Sequence, residues 1–269
     1  MPRRDADPDF IEAIARGFDV ITAFGPGRPA MSLSELAATT GLARPTVRRI
    51  LVTLEALGYA RSTGLGGYTL TPRVLELGTT YVQSTGLWDV ARPHLERLVE
   101  QTHESSSVAQ LDGSDIVYVA RVAVPKIITL AVSIGTRFPA PVTSLGKVLL
   151  AGLTPDELDA TLAQPSRAGI TPKEQPDRAA IDEGLREVRA RGWSLTDQAL
   201  AGGIRSIAAP LRDGHGRVVA AVNVTVHAAE TPVETLLDEH LPRLLQTASA
   251  ISADFALLDT LPRAVAGTA

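Results

Sequence analysis

The segment from Leu33 to Leu57 constrains the fold of this chain more than any other. It has a small residue at Ala37, a glycine at Gly41 and a β-branched apolar residue at Val47. A small residue lets two helices approach closely, and a glycine readily takes the left-handed conformation that a tight turn requires. The spacing therefore predicts a helix-turn-helix, a motif whose second helix enters the major groove of DNA.

The second helix of this motif is expected to be amphipathic. Pro45 suits its first turn. Its buried stripe would be Val47, Ile50, Leu51, Leu54 and Leu57, which leaves Arg44, Thr46, Arg48, Arg49 and Thr53 for DNA bases and phosphates. Arginines on a helix can also form an ordinary solvated face, and Thr46 suits a thymine methyl or a phosphate equally. Which arginine reads a base stays open.

A hairpin is expected directly after this helix. Two β-prone pieces flank the glycine-rich sequence at 64–67. A hairpin in this position is a wing, so the chain is predicted to begin with a winged helix-turn-helix domain over residues 1–71. Arg61 would then lie near the DNA backbone, and the glycines would permit close approach to phosphates.

An apolar helix is expected before the motif, over residues 10–24 with Asp9 as its cap. It serves either as part of the domain core or as a dimer contact. Two-fold symmetry in a dimer would predict a pseudo-palindromic operator.

The remainder of the chain mixes helices and strands. Residues 72–87 are predicted to form a linker helix, 88–262 an α+β domain around an antiparallel sheet, and 263–269 a flexible tail. Strands are expected at 106–111, 115–122, 127–134, 206–211 and 217–226. Helices are expected at 88–103, 146–153, 177–191 and 232–258, and a further helix is expected to begin at 154. Pro93 should fall in the first turn of its helix, which favours a start near Val90.

Charge and composition narrow the class of protein. The net charge is −4, but residues 1–75 hold nine arginines and seven acidic residues, so the basic excess falls on the predicted DNA-binding part. The chain has no cysteine, which excludes disulfides and thiolate metal sites and suits the cytoplasm. Its five histidines lack metal-ligand spacing, so neither a metal nor another cofactor is expected. No segment is predicted to enter a membrane.

Two further motifs follow the winged helix in order: GTRFPAPVTSLGKVLLA at 135–151 and GGIRSIAAPLRDGHGRVVAAVNVTV at 202–226. With them, the chain resembles the IclR family of bacterial transcriptional regulators over essentially its full length. The segments at 10–21, 70–78 and 103–122 resemble the subgroup that controls aromatic-compound breakdown through the β-ketoadipate pathway.

The resemblance implies an N-terminal winged helix, a linker helix used in dimerisation, a C-terminal effector-binding domain similar to GAF domains, and no enzymatic activity. It places the effector pocket at Ser144, Leu145, Gly146, Asp197, Ser206, Asn223 and Thr225. Some relatives carry Cys in place of Ser206, and Ser in place of Asn223 and Thr225.

The residues themselves allow two interpretations of this set. Ser144 lies at a helix start, which suits either a cap or carboxylate binding. Asn223 and Thr225 share one face of a strand, which would face either solvent or a polar cavity. An acidic effector would also require a cation, for which Arg121, Arg137 and Arg205 are candidates.

The leading hypothesis is a homodimer, or a dimer of dimers, that binds double-stranded operator DNA. It would respond to a small acidic effector such as β-ketoadipate or a protocatechuate-like acid. One alternative is an enzyme acting on a small acid, with Ser144, Lys147 and Asp197 as its cluster. Another is a constitutive architectural DNA-binding protein.

Overall fold

The computed structural model describes residues 9–25, 27–64, 66–125 and 132–260. The chain divides into two compact units between Tyr81 and Val82. Within the described part, no helix combines the length and apolarity needed to cross a bilayer.

The first unit contains three helices and a small sheet. Its elements are α1 (Glu12–Thr22), β1 (Ala30–Ser32), α2 (Leu33–Thr40), α3 (Arg44–Ala56), β2 (Ala60–Ser62) and β3 (Gly67–Leu70). Strand β3 lies between β1 and β2 and pairs antiparallel with both. The expected wing is therefore present, and β1 extends it to three strands.

Helices α2 and α3 form the predicted helix-turn-helix. Ser32 caps α2 in a reciprocal capping box with Glu35, and Gly41 ends it with a φ of 70°. Leu36 and Val47 are fully buried in the core of this unit, as expected for Val47. Leu57 was predicted to belong to the buried stripe of this helix, but it follows the last residue of α3 and is 52% exposed.

The first helix is shorter than predicted. Helix α1 begins at Glu12, and Ile11, rather than Asp9, holds the N-cap position without a side-chain cap bond. Between residues 72 and 87, a 3₁₀ turn at Pro72–Val74 precedes α4 (Leu75–Thr85). The division between the two units falls within α4.

The second unit is built on a six-stranded antiparallel sheet. Its elements are α5 (Leu87–Thr102), β4 (Ser105–Asp112), β5 (Asp115–Val122), β6 (Arg137–Pro139), α6 (Ser144–Ala151), α7 (Pro155–Leu162), α8 (Arg178–Arg191), β7 (Ser194–Asp197), β8 (Ile204–Arg212), β9 (Val218–His227), α9 (Val233–Thr235) and α10 (Leu241–Thr260). A 3₁₀ turn spans Ala140–Val142, and a π-helical segment spans Leu236–His240. The strand order is β6-β5-β4-β9-β8-β7.

Three sequence predictions in this unit need correction or qualification. Helix α5 begins at Leu87, so Pro93 lies inside it. Strands β6 and β7 were not predicted, because they are only three and four residues long. Most of the strand predicted at 127–134 falls outside the described residues.

Side chains along the strands point alternately to the two faces of the sheet, and each face packs in a separate hydrophobic core. One face, with Val222 and Val224, packs against α5 and α10, while the opposite face, with Ala208 and Ala221, packs against α6 and α8. Ser206, Asn223 and Thr225 alternate with the first set, so they point toward the α6 side.

Candidate functional site

Helix α3 exposes most of the residues predicted to bind DNA. Arg44, Arg48, Arg49 and Thr53 are exposed, whereas Thr46 is half-buried. The Thr53 hydroxyl donates to the carbonyl of Arg49 at 3.0 Å, so its proton is used within the helix. The arginines keep their guanidinium groups available for phosphates or base edges.

The wing is fixed to α3 by an acidic side chain. Glu55 accepts a hydrogen bond from the backbone amide of Ser62 at 2.7 Å. This contact places Arg61, an exposed residue of β2, beside the end of α3. It also occupies the one acidic residue of α3, so the surface of this helix is basic.

A groove of about 680 Å³ runs between α1 and α3 within the first unit. Thr46, Arg48, Arg49 and Thr53 line it from α3. Arg16 lines it from α1 and is paired with Glu12 at 2.9 Å. Arg44 and Arg61 lie outside this groove.

The second unit contains a cavity of about 60 Å³ between the sheet and the start of α6. Five of the seven residues assigned to the effector pocket line it: Ser144, Leu145, Ser206, Asn223 and Thr225. Apolar side chains such as Val142, Leu200 and Ile204 complete much of its wall.

The polar part of the wall is a connected network. Ser144 Oγ and Ser206 Oγ lie 2.8 Å apart. Asn223 Nδ2 donates to Thr225 Oγ1 at 2.9 Å and to Ser206 Oγ at 3.2 Å, and Thr225 Oγ1 donates to Ser206 Oγ at 3.3 Å. Asn223 and Ser206 are buried, so this network lies in a poorly hydrated environment that strengthens its bonds.

Arg121 supplies a cationic group to the cavity. It donates to Ser107 Oγ at 2.9 Å, and partial burial lowers its pKa, an effect that Tyr118 opposes. Burial also raises the pKa of Tyr118 to about 12, so its phenol stays neutral and can donate or accept hydrogen bonds.

Tyr118 and Arg121 both line the cavity although they are three residues apart on one strand. Regular alternation would put them on opposite faces. In the pairing with β4, Arg121 lies opposite Ser107 and Tyr118 opposite Ala109, so one residue of β5 is extra. This β-bulge restores both side chains to the same face.

Other lining residues were not predicted. They include Glu104, Tyr118, Thr196 and His227. Glu104 is only 6% exposed, and it precedes β4, where strand periodicity gives no indication of direction. The only sequence feature that could have indicated Glu104 as a lining residue is the polar character of residues 103–107.

Gly146 and Asp197 do not line the cavity. Thr143 caps α6 by accepting from the backbone amide of Gly146 at 3.0 Å, so that amide is already bonded. A Cβ on Gly146 would lie 2.1 Å from the carbonyl oxygen of Ala140, which makes this glycine a packing residue. Because Thr143 is the cap, Ser144 is left for the cavity.

Asp197 forms an ion pair with Arg205 instead. The two side chains make a bidentate contact at 3.0 Å, and Arg205 also donates to the carbonyl of Thr231. The hydrogen bond from Arg205 lowers the pKa of Asp197. Arg205 and Arg137 lie outside the cavity wall, and Arg137 pairs with Asp112 and Asp115.

The cluster considered for an enzyme is not assembled. Ser144 lines the cavity, Asp197 is paired with Arg205, and Lys147 lines a separate cavity with Glu174. Burial lowers the pKa of Lys147. Among the described residues there is no group of three or more potential metal ligands.

Two family models match the chain in order. The IclR helix-turn-helix domain matches residues 13–64, and the bacterial transcriptional regulator IclR C-terminal domain matches residues 79–253. The chain belongs to the IclR family. As an IclR-family member it is a transcriptional regulator rather than an enzyme.

Three proteins with known names or structures illustrate the similarity. The chain is 40% identical over 240 residues to the Pca regulon regulatory protein of Pseudomonas putida, covering 89% of this chain and 82% of that protein. A crystal structure of a Rhodococcus sp. RHA1 protein assigned as a transcriptional regulator is 46% identical, with a TM-score of 0.81 over 93% of this chain and 100% of that one.

The third is an IclR homologue from Microbacterium hydrocarbonoxydans, solved in complex with 4-hydroxybenzoate. Its TM-score is 0.78 over 91% of this chain and 99% of that one. Its sequence identity is 22%, so this likeness establishes the fold alone.

Proposed function

We propose that this IclR-family regulator binds operator DNA through α3 and the wing, and that a small acid bound in the second unit changes its DNA affinity. The main observation in support of effector binding is the cavity. It is lined by buried hydroxyl groups and Arg121, as expected of a site for an anion rather than of a purely structural core.

The cavity chemistry favours an aromatic monocarboxylic acid that bears a hydroxyl group. Arg121 and the hydroxyl network offer donors to a carboxylate, and the apolar wall suits a ring. The neutral phenol of Tyr118 can exchange a hydrogen bond with a hydroxyl group of the ligand. A protocatechuate-like acid is therefore the first candidate, and the dicarboxylate β-ketoadipate is the second.

The names of the relatives support a role in aromatic catabolism. One controls a Pca regulon, and another was solved with 4-hydroxybenzoate. We infer that this protein controls genes for the breakdown of aromatic acids. Its proposed target is operator DNA, so its site of action would be the cytoplasm.

The DNA-binding form is proposed to be a homodimer. Ile11, Ile14 and Phe18 in and next to α1 are 51–60% exposed, which is unusual for large apolar side chains along one helix. Burying this stripe in a two-fold contact would present two copies of α3 to a pseudo-palindromic operator. Sedimentation of the chain with and without an operator duplex distinguishes a dimer from a dimer of dimers.

Thermal unfolding of the full chain with protocatechuate, 4-hydroxybenzoate and β-ketoadipate tests the effector assignment. A ligand that binds only the folded state raises the unfolding temperature by an amount that grows with the logarithm of its concentration over Kd. We expect a dose-dependent rise with the hydroxybenzoates and unchanged ligand on recovery. A flat response to all three acids, or conversion of any of them, would contradict the proposal.

A further inference from the structure

The hydrogen bonds around Asn223 have a defined direction. Its Oδ1 accepts from the backbone amide of Ser107 at 2.9 Å, and a backbone amide can only donate. This contact settles the orientation of the Asn223 amide. Nδ2 must therefore face Thr225 and Ser206, to which it donates at 2.9 and 3.2 Å.

The direction continues through the hydroxyl groups. Ser206 Oγ accepts from both Asn223 Nδ2 and Thr225 Oγ1, which fills the two acceptor positions of a hydroxyl. Its own proton is then donated to Ser144 Oγ at 2.8 Å. Ser144 accepts that bond, so its remaining proton is a donor for the cavity that it lines.

We propose that Asn223 is a positioning residue that fixes Ser144 as a hydrogen-bond donor, so that the cavity selects a carboxylate over the isosteric carboxamide. The inference rests on the proposed function, in which a small acid occupies this cavity. A carboxylate presents only acceptors, whereas the amino group of a carboxamide presents donors that would meet the donors of Ser144 and Arg121.

Asn223→Asp reverses this direction without changing the shape of the side chain. The new carboxylate still accepts from Ser107, but it now also accepts from Thr225 and Ser206. Ser206 is then free to accept from Ser144, whose lone pairs face the cavity. The ratio of carboxylate to carboxamide affinity should fall by about tenfold or more, as expected for a lost hydrogen bond to a charged group.

Ser206→Ala is the second variant, because Asn223→Asp adds a charge and could unfold the protein. It breaks the same chain without introducing a charge, and the affinity ratio should fall by roughly threefold or more. Ser106→Ala is the matched control. Ser106 is a buried hydroxyl in the same sheet that donates to the Asn223 carbonyl at 2.7 Å, outside the chain that ends at Ser144.

Isothermal titration of the full chain supplies the measurement. The probes are 4-hydroxybenzoate with 4-hydroxybenzamide, and adipate with adipamide. A lowered ratio in Ser206→Ala with an unchanged ratio in Ser106→Ala supports the proposal, whether or not Asn223→Asp folds. A merely structural role would weaken acid and amide equally and leave the ratio constant.

Two results would overturn the inference. If the wild type binds an acid but Ser206→Ala keeps the wild-type ratio, the positioning role of Asn223 fails while the proposed function stands. If the wild type binds neither acid, the proposed function fails together with the inference.

Discussion

At the scale of single residues, the contacts of Asp197 differ from the role that the family resemblance implied for it. The resemblance implied an effector contact, but its carboxylate is held by the guanidinium of Arg205. The ion pair joins β7 to β8, and Arg205 extends the connection to the carbonyl of Thr231. Asp197 therefore has a structural position beside the cavity rather than in it.

Asp197→Asn should lower stability at neutral pH without weakening acid binding by more than about twofold. Because the folded-state pKa lies below its ordinary value of 3.8, the carboxylate stabilises the fold above that pH, and the contribution is lost as pH falls through the folded-state pKa. Urea titrations of both proteins should differ at neutral pH and converge below pH 3.8. A gap that stays constant with pH would contradict the stabilising ion pair, and loss of acid binding would indicate a direct effector role.

Two helical glycines make a matched pair. Gly146→Ala places a Cβ 2.1 Å from the carbonyl oxygen of Ala140, whereas a Cβ at Gly184 in α8 meets nothing within 4 Å. We expect Gly146→Ala to destabilise the fold by about 2 kcal/mol or more. Gly184→Ala should stabilise it by about 0.4–1 kcal/mol. Denaturant unfolding of both variants checks this, and equal effects would refute the close packing of α6.

Single residues also show where sequence reasoning ends. Asn223 and Thr225 could be assigned to one face because a regular strand alternates. Tyr118 and Arg121 could not both be assigned to the cavity, because the bulge in β5 is a feature of pairing that periodicity does not reveal. The sequence also could not show that Arg121 is the cation of the cavity. Arg137 and Arg205 are held in ion pairs with acidic side chains, and these contacts are visible only in the structure.

At the scale of elements, the helix-turn-helix was predictable and its boundaries were less so. Ala37, Gly41 and Val47 encode close approach, turn and packing directly, so α2 and α3 follow from the sequence. Helix α1 begins later than predicted because Ile11, not a polar side chain, holds its N-cap position. Strands β1, β6 and β7 have only three or four residues, too few for alternation to indicate them.

The basic surface of α3 leads to a prediction about how operator affinity depends on salt concentration. If Arg48 and Arg49 contact phosphates, alanine at either position should weaken operator binding and reduce the slope of log affinity against log salt by about one. If one of them reads a base, its variant should instead lose discrimination between operator and random DNA. Fluorescence anisotropy over a salt series measures both quantities.

Arg186→Ala is the control for this series. Arg186 is an exposed arginine on α8, in the second unit, and pairs with Glu183. Its variant should keep the wild-type affinity and slope. Equal behaviour of all three variants would mean that α3 does not bind DNA.

At the scale of the whole molecule, the chain combines a small basic winged-helix unit with a larger unit that contains a cavity with polar and apolar walls. The order of these parts was predictable from three motifs and from the uneven charge. The cavity could be predicted only through the family resemblance and not from local sequence, since it forms where residues from β4, β5, β8, β9 and the start of α6 converge. Local sequence patterns do not indicate which residues that are far apart in the chain come together in this way.

The central claim is that an acid in the cavity changes operator affinity. Its most direct test is operator binding by the wild type and by Arg121→Met, with Arg92→Met, an exposed arginine of α5, as control. Genomic fragments selected by the protein itself supply the operator. Protocatechuate or 4-hydroxybenzoate should shift operator affinity of the wild type and the control at least about fivefold, and leave Arg121→Met near its own unliganded value. An acid that binds without shifting operator affinity, or an equal shift in Arg121→Met, would contradict the account.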